Sequence, residues 1–136
     1  MSDVSPKSRN WSFLALCMAA FYLATTFYIS SHRLLWFDEI ATANVAGLPH
    51  WTSIWTALAQ GVDSQPPLYY VLVRLFSKLP VSQEVALRLP SALAMAAGLL
   101  ITFDCARRVT DSLHGLIALS VLTSSFLPYY GYEARP

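Results

Sequence analysis

Charged residues punctuate this chain in short bursts, and the intervals between them are long and apolar. From Asn10 to Ser31 there is no Asp, Glu, Lys or Arg across 22 residues, and a helix of that length crosses about 30 Å of hydrocarbon at 1.5 Å per residue. A second apolar run, Val85 to Ala106, carries only Arg88 and Asp104 near its two ends, where charged side chains snorkel toward the interface. The third, Gly115 to Tyr132, is uncharged over 18 residues. These runs predict transmembrane helices over roughly 11–31, 85–106 and 113–131. A signal peptide would have a shorter apolar region with a small-residue cleavage site, whereas the first run is long and ends in YISSH, so it reads as a retained helix.

Between the first two runs the period changes. Apolar residues at 68, 71, 72, 75, 76 and 79 form an i, i+3, i+4 stripe, with Arg74, Ser77 and Lys78 off it. Leu68 to Leu79 would extend about 18 Å as a helix, too short to span, and Arg74 sits in its middle. The pattern predicts a helix lying in the interface, with Tyr69 and Tyr70 at headgroup level. Trp51, Ile54, Trp55 and Leu58 repeat the motif, and an earlier helix is expected from about Asp38 to Ala46, closed by Gly47. The expected fold class is therefore all-α integral membrane: about three transmembrane helices, and a long outer loop, 32–84, carrying amphipathic interfacial helices. Residues 1–10 read as a cytoplasmic tail and 11–136 as one membrane module.

Composition agrees with that class. Hydrophobic residues make up 55% of the 136 and charged residues 12%, against about 25% charged in an ordinary soluble domain. A net charge of +1 with scattered basic residues gives no stripe for nucleic acid. Lys7 and Arg9 precede the first span, and Arg107 and Arg108 lie between the last two. With three spans both clusters fall on one side, which the positive-inside bias makes the cytoplasm. The outer loop and the final YEARP then share the opposite face.

Candidate chemistry gathers on that outer face. WFDEI, Trp36 to Ile40, sets Asp38 and Glu39 just after a membrane helix, where they also suit the first turn of a helix. Glu133 reaches the same face independently. Carboxylates there can act as general base toward an incoming hydroxyl or hold a divalent cation. Arg135 suits a phosphate. His32, His50 and His114 show no mutual ligand spacing and read as interfacial or capping residues, and Cys17 and Cys105 as small buried hydrophobes.

The order WFDEI, QPPLYYVL, ALRLPSALA, RR and YYGYEARP, from Trp36 to Pro136, resembles the N-terminal part of the GT-C membrane glycosyltransferases. It is most similar to their family 39, the relatives of protein O-mannosyltransferases and of the lipid A aminoarabinose transferase. The resemblance implies a multi-pass protein of the inner or plasma membrane with a cytoplasmic N-terminus. It would transfer a sugar from a polyprenyl-phosphate donor to a lipid, glycan or protein acceptor on the outer face. Carried over by motif, the catalytic positions are Asp38, with Glu39 beside it, and Glu133, and Asp38 and Glu133 are the pair that would share a metal. Arg135 would bind phosphate, and Gln65, Pro66, Pro67 and Tyr69 match the motif near the donor cavity. Glycosyl transfer needs just these parts, a carboxylate to activate the nucleophile and a cationic environment for the departing phosphate.

Family members of this kind run to several hundred residues, so the resemblance implies an N-terminal fragment with no activity by itself. Two other classes fit the same pattern. One is a non-enzymatic membrane protein, a partner subunit or lipid-binding scaffold. The other is part of a lipid-linked sugar transporter, for which only Arg88 and Asp104 approach a charged pathway within the spans.

Overall fold

The computed structural model describes residues 6–63 and 65–125, with side chains from residue 10 onward. Glu133 and Arg135 lie outside the described residues, as does most of the expected tail. Within the described part every regular element is helical: α1 (Pro6–His32), α2 (Phe37–Ala46), α3 (Trp51–Ala59), α4 (Pro67–Phe76), α5 (Gln83–Val109) and α6 (Ser112–Thr123).

Two of them, over Asn10–His32 and Gln83–Val109, are long and apolar enough to cross a membrane. At 27 residues, α1 and α5 each extend about 40 Å. Of the expected span over 113–131, α6 supplies 12 residues, Ser112–Thr123, too short to cross a membrane by itself, and closes at Ser124; residues 126–131 lie outside the described residues. At 10 residues α4 covers about 15 Å and does not span, as its period predicts.

Local signals explain the helix ends. α4 starts at Pro67, whose fixed φ and missing N–H suit the first helical position. Asp111 caps α6 by accepting from the backbone N–H of His114 at 2.9 Å. α2 opens with Asp38 and Glu39 in its first turn and closes at Gly47, whose N–H donates to the Ala43 carbonyl at 2.9 Å.

The helices pack around two apolar clusters. One, in the bundle, joins Ala15 and Tyr22 of α1 to Ala96, Leu99 and Phe103 of α5 and to Leu116 and Leu119 of α6. Gly115 permits that approach: a Cβ there would stand 3.0 Å from the Phe103 carbonyl oxygen. The other lies at the end of the bundle where α1 stops and α5 starts, and gathers Val45, Ala46, Ile54, Tyr69, Tyr70, Val73 and Leu87 from α2 to α5. The opposite end of α5 carries Arg107 and Arg108, both bonded to Asp104 on the same helix. The first turn of α1 lies at that same end.

Three sequence expectations are corrected. Tyr69 and Tyr70, expected at headgroup level, are buried in the second cluster, and Leu68, Leu72 and Leu75 form the outward face of α4, with Leu79 exposed just beyond its end. The helix is apolar on both sides, and periodicity locates apolar residues without saying which side meets protein. Cys17 and Cys105, expected buried, are exposed on α1 and α5, because a helix in lipid turns apolar residues outward as readily as inward. Arg88, expected to snorkel, is 1% exposed and held inside the protein.

Candidate functional site

Arg88 lies one residue beyond Leu87 of the second cluster, and its guanidinium reaches the end of α1. Nε donates to Glu39 Oε1 at 2.8 Å and Nη2 to Glu39 Oε2 at 2.6 Å, a bidentate fork across 49 positions of sequence. Nη1 donates to the carbonyls of Ser30 (3.1 Å) and Arg33 (3.0 Å), and Nη2 also to that of Leu34 (3.0 Å). All five N–H groups of the side chain are thereby used. The last carbonyls of a helix have no partner within it, and Arg88 supplies partners from α5 while its charge complements the negative end of the α1 dipole.

Glu39 is fixed from two sides. Besides Arg88, its Oε2 accepts from the backbone N–H of Trp36 at 2.9 Å, closing the first turn of α2 onto its own entry. It too is 1% exposed. Asp38, its neighbour, is exposed at the surface. Around it Leu34, Trp36, Phe37 and Ile40 also face outward, and the Arg33 guanidinium lies 5.3 Å from the centre of the Trp36 ring. Apolar and aromatic residues of this kind belong at a membrane interface.

Tyr69 brings α4 into the same corner. Its hydroxyl is buried, and that burial pushes its pKa up to about 12, with the negative charge of Glu39 adding to the rise and Ser91 opposing it. The phenol stays protonated at neutral pH. Beside it, with the two rings edge to face, Tyr70 donates to Asp63, and burial together with that bond raises its pKa as well. Arg74 ties α4 to the turn before α3: Nη1 donates to the Leu48 carbonyl at 2.6 Å and Nη2 to that of Pro49 at 2.9 Å, with the guanidinium 4.6 Å from the Trp51 ring centre.

Of the residues singled out in the sequence, the described structure thus gathers Asp38, Glu39 and Tyr69 at one end of the bundle. Pro66 and Pro67 form the start of α4, and Gln65 lies half-buried just before them. His32 and His114 behave as expected, His32 bonding the Tyr28 carbonyl and His114 the capping Asp111. Among the described residues no group of three His, Cys, Asp or Glu is placed to hold a metal ion. Both Glu39 oxygens are bonded to Arg88, which occupies the carboxylate that a cation would otherwise meet. Arg88 itself is the residue that sequence reasoning missed. The signal was an arginine one turn inside an apolar helix that has no need of it.

Residues 64–134, just over half of the chain, match the family of dolichyl-phosphate-mannose-protein mannosyltransferases. The chain belongs to that family. No curated protein and no solved structure matches it. It is a membrane protein of the mannosyltransferase-like glycosyltransferase class. The family match takes in α4, α5 and α6, hence Tyr69 and Arg88, while Asp38 and Glu39 precede it. The Glu39–Arg88 pair physically joins the acidic turn to the matched segment.

Proposed function

We propose that this chain takes part in transfer of a sugar, mannose in the first instance, from a polyprenyl-phosphate donor to an acceptor on the outer face of the membrane. Asp38 is the general base that takes the proton from the acceptor hydroxyl as that oxygen attacks the sugar's anomeric carbon and the phosphate departs. The observation that carries the reading is the contrast between two adjacent carboxylates. Glu39 is buried and bonded to Arg88, whereas Asp38 stands exposed at the membrane end of the bundle. Glu39 accordingly acts by positioning its neighbour. Glu133 is assigned to support Asp38 or share a divalent cation with it, and Arg135 to bind the phosphate. Gln65, Pro66, Pro67 and Tyr69 border the donor side.

The positive-inside bias supports a multi-pass arrangement with the N-terminus, Arg107 and Arg108 in the cytoplasm and Asp38 outside. The test is sugar transfer in membranes carrying the protein, with labelled polyprenyl-phosphate mannose as donor. Asp38→Asn should abolish transfer while helical content and membrane insertion stay unchanged. Retained turnover would remove Asp38 from the mechanism. A stable copurifying partner whose binding Asp38→Asn leaves unchanged, in membranes that use no polyprenyl-phosphate sugar, would favour the non-enzymatic scaffold.

A further inference from the structure

A recess separate from the acidic turn opens between the C-terminal ends of α2 and α4 and the start of α5. It has a volume of about 440 Å³, within the size range of small-molecule sites. Its polar lining is Arg74, Ser77, Lys78 and Gln83, with Val81 and Gly47 beside them, and no acidic side chain lines it among the described residues. Since α2 runs from Phe37 to Ala46 and the recess meets its last turn, the helix separates this place from Asp38.

We propose that this recess binds the phosphate headgroup of an anionic membrane lipid, a role independent of the sugar-transfer reading. Two cations line it, Arg74 in the last turn of α4 and Lys78 in the turn just after Ser77 caps that helix, and like charges brought to one recess repel unless an anion lies between or beside them. Lys78 has no ion pair among the described residues, and its side chain is exposed. Arg74 is already held in place by its bonds to the Leu48 and Pro49 carbonyls and by the Trp51 face. Those bonds use two of its five N–H groups, so the remaining donors are presented with little further loss of side-chain freedom.

The negative end of the α2 dipole opposes an anion here, and the charge of Arg74, bonded to the Leu48 and Pro49 carbonyls just beyond that end, offsets it. The first turn of α5, whose cap residue Ser82 makes no side-chain bond, adds backbone N–H groups at the recess edge beside Gln83. What specifies a lipid rather than a soluble phosphate is the apolar surface continuous with the recess. Leu75 on α4 and Leu79 just beyond it adjoin Arg74 and Lys78 in the chain and Val81 lines the recess, all three exposed. Acyl chains have a surface to lie along, and the headgroup meets the two cations.

The experiment uses the whole chain in nanodiscs of mixed phosphatidylcholine and phosphatidylglycerol, with lipids retained after extraction counted by native mass spectrometry. The wild type should retain phosphatidylglycerol over phosphatidylcholine by about tenfold, the discrimination that one charge-assisted hydrogen bond can supply. Arg74→Gln with Lys78→Gln should bring that ratio close to one, whereas Arg107→Gln with Arg108→Gln, at the other end of α5, should leave it unchanged. If loss of Arg74 loosens α4, Lys78→Glu alone, on an exposed side chain, must still lower the preference several-fold with helical content intact. Unchanged preference in that variant overturns the site. So does displacement of the lipid by millimolar inorganic phosphate, which would assign the recess to a soluble anion.

Discussion

Replacing Arg88 by methionine keeps most of the side chain's length and removes all five of its donors. Glu39 would then be a buried carboxylate without its counter-charge, its Oε2 still accepting from the Trp36 N–H, and breaking a buried pair from one side costs about 3–5 kcal/mol. The carbonyls of Ser30, Arg33 and Leu34 lose their partners as well. Each unsatisfied acceptor costs about 1–3 kcal/mol when it stays dry, though those nearest the helix end can turn toward water. The expected total is about 4–6 kcal/mol, a large share of the roughly 5–15 kcal/mol that holds a folded domain together. Glu39→Gln should cost about 2–4 kcal/mol by leaving the guanidinium without its counter-charge. The double variant should cost less than the two single losses combined, by about 1–3 kcal/mol, because it removes both buried charges. Helical circular dichroism during titration with sodium dodecyl sulfate in mixed micelles measures all four proteins. Arg88→Met within about 0.5 kcal/mol of wild type, or strictly additive losses, would refute the argument that this pair holds α2 on the bundle.

Other outcomes follow from single contacts. Gly115→Ala brings a Cβ to 3.0 Å from the Phe103 carbonyl oxygen and 3.0 Å from its ring, and should destabilise the α5–α6 pair by about 1–3 kcal/mol, read in the same titration; a neutral result would mean the hairpin is looser than described. Tyr69 ionises near 10.0 when unfolded and near about 12 when folded, so its contribution to stability is complete below pH 10 and is lost as pH rises through 12. Tyr69→Phe should flatten that part of the stability profile, and an unchanged slope would assign it to other groups. Asp111 has its pKa held low by the His114 backbone N–H and imidazole. Its capping contribution should therefore be present above the ordinary carboxylate range and fade as pH falls below it, which comparison of Asp111→Ala with wild type at neutral and acidic pH would reveal.

The apolar length of α1 and α5 and the short stripe of α4 were legible because each is a local property, set by residues within one or two turns. The loop helices were legible for the same reason: Asp38 and Glu39 at the start of α2, Gly47 at its end, Trp51 at the start of α3. What the stripe of α4 concealed was which side faces protein, because Leu72 and Val73 are equally apolar and only the neighbours of the folded chain distinguish them. The role of Glu39 was concealed for a different reason. Adjacent acidic residues in WFDEI look equivalent, and they are separated only by Arg88, 49 positions away from Glu39. No period or motif reports a pairing at that range.

The choice of an ion pair at this corner has a physical cause. An apolar contact of similar volume could hold α2 against α5 at less desolvation cost. It could not serve the end of α1, where three carbonyls point toward α5 at the edge of the apolar layer. A backbone acceptor there without water or a partner costs several kcal/mol. A planar guanidinium answers three carbonyls and a carboxylate together, which a lysine with three donors on one atom does not. Arg88→Lys should therefore keep the charge and still lose part of the stability. Because Glu39 is pinned to that same group and Asp38 is the next residue back along the helix, the device that terminates the first membrane helix also fixes where the exposed carboxylate stands. Asp38→Asn leaves both partners of the Glu39–Arg88 fork in place, so under the proposed mechanism it tests the carboxylate apart from that scaffold, whereas Arg88→Met removes the scaffold itself.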